Sequence, residues 1–186
     1  MAKGQQAVNN TPGFILWSMR LAFVAIAVMT LLSGLLPLQT VPRNWAGPDL
    51  LFCLALAWSV RRPEYVPIWL LATVFLLADF ILSRPPGLAA ALILVACGNM
   101  QSRARPLHVA GFMTEWLRAA VLIVAVAVFY RTVLAILLVP TPPLGLHATQ
   151  VIGTALAYPI VVMISALLFG IRMATPGELD NIGQRP

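Results

Sequence analysis

The sequence predicts an all-α, polytopic membrane protein with six transmembrane helices and no soluble domain. Of its 186 residues, 60% are hydrophobic and only 10% are charged, and the mean hydropathy is +0.90. A soluble domain carries about 25% charged residues, so this chain has too little polar surface to cover a core in water. Apolar runs of about 20 residues, the length that crosses a bilayer, also recur along the chain.

The apolar runs define one transmembrane domain at 14–173, between tails at 1–13 and 174–186. Spans are expected at about 14–37, 49–61, 65–83, 87–102, 115–139 and 149–173. The first, third, fifth and sixth are long enough to cross. The second and fourth reach only about 20–24 Å at 1.5 Å per residue. They need helical flanks, bilayer thinning or burial behind neighbours, and a re-entrant hairpin is the alternative to spanning.

Local signals mark several helix ends. Pro48 and Asp49 suit the first turn of the second span, because proline lacks the N–H that goes unpaired there and an acid meets the positive end of the helix dipole. Arg-Arg-Pro at 61–63 ends the same span. Thr114 and Glu115 open the fifth span as a cap and a first-turn acid.

The basic residues predict the orientation. Six spans place both termini on one side, and that side collects seven basic residues against two, Arg43 and Arg84, on the other. The seven are Lys3, Arg61, Arg62, Arg103, Arg105, Arg172 and Arg185. This excess predicts cytoplasmic termini. A five-span arrangement would place the termini on opposite sides. Topology and anionic lipid headgroups explain the formal charge of +6, so we expect membrane lipids and no nucleic acid as partners.

Charges inside spans are costly and require a reason. Asp79 lies 14 residues into the third span and Arg131 lies 16 residues into the fifth, which is about 21 and 24 Å from the same side. The matching depth suggests an ion pair between the two helices. Two alternatives stay open: Asp79 pairs locally with Arg84, or it contacts a partner protein or ligand.

Motifs for catalysis, metal binding and cofactor binding are missing from the sequence. It contains no phosphate-binding loop, zinc-protease motif or serine-hydrolase elbow. Cys53 and Cys97 are isolated in apolar runs, and His108 and His147 are isolated near span ends. We therefore expect no enzyme, no cofactor and no metal.

Several residues are candidates for packing or partner contacts. Gly153 and Ala157 form a small-xxx-small face that suits packing within the chain, with self-association or a partner contact as alternatives. Pro159 should kink the sixth span and free a carbonyl one turn earlier. Trp58 falls near a predicted membrane interface, where aromatic belts occur, together with Trp45 and Trp69.

These features follow one another in a characteristic order. After a long first span come Arg43-Asn44-Trp45, Pro48-Asp49-Leu50, Trp58, Arg61-Arg62-Pro63, Asp79 and Pro86-Gly87-Leu88, and then a last span with Gly153 and Pro159. This order resembles the rod shape-determining MreD family over roughly 14–172, most closely over 43–92. That family commonly has Leu-Gly after the turn that follows the acid, where this chain has Pro86-Gly87-Leu88.

The resemblance implies a non-enzymatic scaffold of the bacterial inner membrane in the cell-elongation machinery. Its partners would be an MreC-like bitopic protein, the MreB filament, and the transpeptidase and SEDS glycosyltransferase of peptidoglycan synthesis. The short spans are expected to leave a groove for a partner's transmembrane helix. The alternative function is a substrate-binding subunit of an energy-coupling-factor transporter. Such a subunit requires an outward pocket with convergent polar groups, for which the outer loops offer little.

Overall fold

The computed structural model describes residues 13–35, 46–104, 111–141 and 143–169, and these are all-α. Six helices lie in the described part: α1 Gly13–Leu35, α2 Leu50–Arg61, α3 Ile68–Ile81, α4 Leu88–Ser102, α5 Phe112–Ile136 and α6 Leu144–Phe169. Three of them, α1, α5 and α6, are long and apolar enough to cross a membrane. The all-helical class is confirmed, and these three helices indicate a membrane protein.

Some expected features lie outside the described residues. These are the greater part of both tails, Arg43, Trp45, Arg105, His108, and the last part of the sixth span with Arg172.

The other three helices are short. α2 has 12 residues, α3 has 14 and α4 has 15. α3 is shorter than the expected span at 65–83, because Pro67 lies at its N-cap and Ser83 turns the chain at φ 52° just after its end. At 1.5 Å per residue the three helices are about 18–23 Å long.

The two ends of the bundle are marked by side-chain contacts. At the Glu115 end, Arg61 at the close of α2 meets Glu115 at the start of α5, and Gln101 of α4 donates to the carbonyl of Val66 just before α3 (3.0 Å). At the Asp79 end, α3 finishes where α4 begins. α3 and α4 thus connect the two ends, whereas α2 begins beside Thr154, in the interior of α6.

The short α2 occupies the centre of the bundle. Every residue from 51 to 60 is buried, and the helix packs against α6, α4 and α1. The outer helices follow one another as an arc, in the order α1, α3, α4, α5, α6. α2 is thus enclosed by its neighbours. Burial behind other helices was one of the ways in which this short span was expected to be accommodated. The neighbouring helices thus bury the side chains of residues 51–60.

α3 and α5 end in the same turn. The residues after their C-caps, Ser83 (φ 52°) and Leu138 (φ 56°), adopt the left-handed conformation. In α5, the N–H of Val139 donates to the carbonyl of Leu134 (3.0 Å) and that of Leu138 to the carbonyl of Ala135 (3.2 Å). This is the Schellman pattern, in which glycine usually occupies the left-handed position.

Replacing Leu138 with glycine is expected to raise the free energy of unfolding by about 0.5–1 kcal/mol. The left-handed conformation costs a residue with a Cβ about 1–2 kcal/mol, and the greater freedom of glycine in the unfolded chain offsets part of the gain. Leu138 is 89% exposed, so the substitution removes little packing. The measurement is denaturant-induced unfolding in detergent micelles. Leu137→Gly is the control, because Leu137 has φ −80° and glycine there should destabilise. A loss of stability in both variants would contradict this account.

Candidate functional site

A buried ion pair joins three helices at the Glu115 end. Glu115 lies in the first turn of α5 and its side chain is 0% exposed. Arg61 of α2 donates to both carboxylate oxygens, from Nε to Oε1 (3.2 Å) and from Nη2 to Oε2 (3.0 Å). Tyr158 of α6 donates its hydroxyl to Oε1 (2.7 Å). One carboxylate therefore connects α2, α5 and α6.

This contact was missed from the sequence. Thr114 was expected to cap α5, whereas the N-cap is Gly111 (φ 88°). Glu115 lies in the first turn, as expected, but its carboxylate is buried against Arg61. Arg61 ends α2, as expected, but its side chain is only 8% exposed. The sequence did contain a signal for this pair, because it predicts both Arg61 and Glu115 at the cytoplasmic ends of their spans. The depth comparison applied to Asp79 and Arg131 would have matched Arg61 with Glu115.

Arg62, the neighbour of Arg61, behaves differently. Its Nη1 lies 3.5 Å from Oε1 of Glu64, and the two side chains are 42% and 39% exposed. Such a surface pair contributes little stability. The backbone N–H of Arg62 donates to the carbonyl of Trp58 (2.9 Å) and so closes α2.

The buried acid of α3 caps the next helix. Asp79 is 2% exposed, and its Oδ2 accepts hydrogen bonds from the N–H groups of Gly87 (3.0 Å) and Ala90 (3.1 Å). These belong to the N-cap and first turn of α4, where backbone donors lack partners and the helix dipole favours a negative charge. Gly87 follows Pro86 and adopts φ 84°, which glycine does without a Cβ penalty.

The expected ion pairs of Asp79 are therefore not formed. Among the described residues, the carboxylate forms an ion pair with neither Arg131 nor Arg84. Helix depth alone is insufficient to identify a partner, because it leaves the direction of each side chain around the helix axis undetermined. The backbone N–H groups of α4 are nearer in sequence and equally suited to a carboxylate.

Replacing Asp79 with alanine is expected to lower the free energy of unfolding by about 2–3 kcal/mol, because the donors of Gly87 and Ala90 lose their acceptor. Asp79→Asn should cost less, since an amide oxygen still accepts both bonds. The measurement is unfolding in detergent micelles. The double variant Asp79→Arg/Arg131→Asp should remain as unstable as its single variants, and recovery of stability would show instead that the two charges are paired.

Trp58 is at the centre of the core. It was expected near a membrane interface, where aromatic belts occur, but its side chain is 0% exposed and so belongs to the core rather than to a lipid-facing belt. Its ring contacts Phe23 of α1, Phe169 of α6 and Tyr65, with centroid distances of 5.5, 5.4 and 6.4 Å. Its indole N–H donates to Oγ of Ser165 (3.2 Å). The tryptophan thereby joins both long terminal helices to α2.

The small-residue face of α6 packs within the chain. A Cβ on Gly153 would lie 3.8 Å from Cβ of Pro48, so Pro48 lies directly against this glycine. The next residue, Thr154, accepts from the N–H of Asp49 (2.9 Å), and Oδ1 of Asp49 accepts from the N–H of Phe52 (3.0 Å). Asp49 is the N-cap of α2, one residue before the expected first turn.

Pro159 lies inside α6 and leaves the carbonyl of Ala155, one turn earlier, without its helical donor. The indole N–H of Trp116 in α5 donates to that carbonyl (2.9 Å). The freed carbonyl expected from the sequence thus serves as a contact between α5 and α6.

A cavity of about 340 Å³ lies at the Asp79 end between α2, α4, α5 and α6. We call it the arginine cavity, because Arg84 and Arg131 both line it. Its other polar lining includes Tyr130, His147 and Gln150, and buried apolar residues form its deeper wall, namely Phe52, Ile93 and Ile123. The structure therefore brings together the two arginines that the sequence grouped around Asp79, at a site that the sequence did not reveal.

The fold and these contacts define a class, an all-helical membrane protein braced by buried polar contacts. Within the described residues, no group of three or more His, Cys, Asp or Glu side chains is placed to hold a metal ion. Comparison of the chain with family models, with curated proteins and with solved structures finds no match.

Proposed function

We propose that this protein is a non-enzymatic scaffold of the bacterial inner membrane that takes part in cell elongation, as its resemblance to the MreD family implies. The observation that carries the proposal is that the residues on which the resemblance rests have structural roles. Asp49 caps α2, Trp58 fills the core, Arg61 pairs with Glu115, and Asp79 caps α4. These side chains support a bundle rather than converge on a reacting group.

In this proposal all six helices cross the membrane and both termini are cytoplasmic. α1 begins and α6 ends at the Glu115 end, which also carries Arg61, Arg62 and Arg103. Such an excess of basic residues is typical of the cytoplasmic side. The short α2, α3 and α4 cross as part of a bundle in which α2 is shielded from lipid.

The partner's helix would dock between α1 and α3. An apolar cleft of about 190 Å³ lies there, lined by Val24, Ala27, Val28, Leu31, Trp69, Leu70, Thr73, Val74 and Leu77. Val28, Trp69 and Leu77 of this lining are 41%, 57% and 49% exposed, so a partner's helix can contact them. The burial of residues 51–60 in α2 argues against a docking surface there, so the proposal places the groove on the exposed side of α3.

Site-directed crosslinking in the native membrane tests this proposal. Cysteines are introduced at Thr73 or Leu77 in a background without Cys53 and Cys97, and the single helix of an MreC-like partner carries a second cysteine. Crosslinks from the cleft, with none from the equally exposed Leu156 of α6, are the expected result. Depletion of the protein should also convert rods into round cells. Retention of rod shape, with no elongation protein recovered alongside the tagged chain, would refute the scaffold role.

One observation favours a second candidate, the transport subunit. A transport subunit needs a pocket with several convergent polar groups, and the arginine cavity has them although the outer loops offer few. The volume of the cavity also falls within the range of about 300–1,000 Å³ typical of ligand sites. This function predicts co-purification with an ATPase pair and loss of uptake of one small molecule when the chain is depleted.

A further inference from the structure

We propose that the arginine cavity is a water-filled vestibule, open at the Asp79 end, through which small water-soluble molecules reach the start of α2 within the membrane. Only the name of the outer side rests on the orientation proposed above. The presence of water depends neither on that orientation nor on the scaffold role, because water is measured by labelling of single cysteines and scaffolding is measured in cells.

The backbone that leads into α2 is not helical and lies deep in the bundle. Residues 46–49 run along α6: the N–H of Ala46 donates to Oγ1 of Thr149 (3.4 Å), and that of Asp49 donates to Oγ1 of Thr154 (2.9 Å). These two threonines follow the first residue of α6 by five and ten positions, which is about 7.5 and 15 Å along its axis. Non-helical backbone at membrane depth is stable only where protein buries it or where it lines a water-filled cavity.

The exposed surface of α6 at that depth is apolar. Leu144, Ile152 and Leu156 are 69%, 59% and 60% exposed, so hydrocarbon is expected at the level of the non-helical segment. Gly47 of this segment is nevertheless exposed, and Asp49 is only half-buried and lines the arginine cavity. The backbone before α2 therefore needs water, and the cavity is the place where water can reach it.

The two sides of α5 differ in the same way. The residues of α5 that line the cavity are spaced by three and four positions and form one helical face, namely Ile123, Val126, Ala127, Tyr130, Arg131 and Leu134. On the other side of the helix, Val124 and Val128 are 47% and 57% exposed. The polar residues of this part of α5 thus lie on the cavity side, at a depth where its outward surface suits lipid.

The lining is polar enough to hold water. Besides the residues of α5, it includes the polar side chains of Asp49, Ser83, Arg84, Thr141, His147, Gln150 and Thr154. An apolar cavity stays dry, whereas a polar one offers the hydrogen-bond partners that each water needs, and about 340 Å³ has room for on the order of ten waters. Charged side chains favour hydration even when they are paired, because burying an ion pair without water is costly. The presence of water therefore does not depend on which partners the charged groups have.

The cavity opens where short helices meet long ones. Ser83, Val139 and Pro140 are exposed lining residues that follow α3 and α5 at the Asp79 end. α2 and α4 have 12 and 15 residues, whereas α5 and α6 have 25 and 26, so the long helices form walls that rise beyond the start of α2. Water in this depression shortens the apolar layer that α2 has to cross, which accounts for the length of this helix.

Cysteine labelling tests the vestibule in right-side-out native membrane vesicles that contain the full chain in a cysteine-free background. The probe is a membrane-impermeant sulfonated maleimide, a small water-soluble molecule that reacts with the thiolate form of cysteine. Val126→Cys and Gln150→Cys place a thiol in the cavity lining. They should be labelled at least about tenfold faster than Val128→Cys and Ile152→Cys on the exposed apolar surface of the same helices, since hydrocarbon suppresses the thiolate.

Each control is matched in depth, because two residues along a helix correspond to about 3 Å. Labelling in dodecyl sulfate should be equal in all four variants, which shows that every thiol is intact. Ala89→Phe fills the cavity from α4 and should slow the labelling of Val126→Cys, an effect that an unfolded chain would not show.

Equal rates within both pairs would overturn the proposal. Slow labelling at all four positions would mean a dry cavity, and fast labelling at all four would mean that water covers the outward surface as well. Labelling of Val126→Cys in inverted vesicles alone would support the vestibule and reverse the proposed orientation of the chain.

Discussion

Replacing Glu115 with alanine is expected to lower the free energy of unfolding by about 3–5 kcal/mol, the cost of leaving one partner of a buried ion pair uncompensated. Arg61 would retain its positive charge with a side chain only 8% exposed, and the hydroxyl of Tyr158 would lose its acceptor. Because the carboxylate connects α2, α5 and α6, the loss should affect the whole bundle. Unfolding by a denaturing detergent, followed by tryptophan fluorescence, measures it.

Two further variants show whether charge is the cause. Glu64→Ala removes the partner of the exposed Arg62 and should change stability by less than about 1 kcal/mol. The triple variant Arg61→Met/Glu115→Leu/Tyr158→Phe removes all the polar groups together and should recover most of the loss, since apolar replacement of a buried pair is often neutral or stabilising. If the triple variant is less stable than Glu115→Ala alone, the cost lies in packing rather than in an unpaired charge.

Replacing Trp58 with alanine is expected to cost about 3–5 kcal/mol, the range for truncating a buried large aromatic side chain. The tryptophan is 0% exposed and contacts rings from α1 and α6, so truncation opens a cavity where both long helices meet α2. Trp58→Phe should cost less, because it keeps a ring and loses only volume and the hydrogen bond to Ser165.

The control for Trp58 is an aromatic residue on the surface. Phe129→Ala removes a ring that is 62% exposed and should change stability by less than about 1 kcal/mol. Thermal unfolding in the same detergent compares the two positions. Similar losses at Trp58 and Phe129 would contradict a core role for Trp58.

Much of the fold could be predicted from the order of apolar residues. The six described helices lie close to the expected spans, and Asp49, expected in the first turn of α2, is its N-cap. The turn expected at Pro86 and Gly87 lies just before α4. These predictions succeed because helix formation and helix ends depend on neighbours within a few residues. The length of α3 was overestimated, since apolar residues continue beyond the point where Ser83 reverses the chain.

The candidate site was less predictable. The sequence grouped Asp79, Arg84 and Arg131 by depth, yet only the two arginines share a cavity, and the acid caps α4. Glu115 received no role beyond its own helix end, although it holds the bundle's buried ion pair. For Asp79 the missing information was the rotation of each helix about its axis, which decides whether side chains at equal depth face each other. For Glu115, a comparison of depths would have suggested Arg61, and the tertiary structure shows that the two side chains meet.

The sequence by itself determined that this is a helical membrane protein, roughly where its helices lie, and that its buried charges need partners. Those conclusions follow from composition and from interactions within one or two turns of helix. Only the tertiary structure decided that the short α2 is enclosed at the centre, that Glu115 joins three helices, and that two arginines line one cavity. Each of these depends on residues separated by many positions in the chain, and their contacts arise from how whole helices pack.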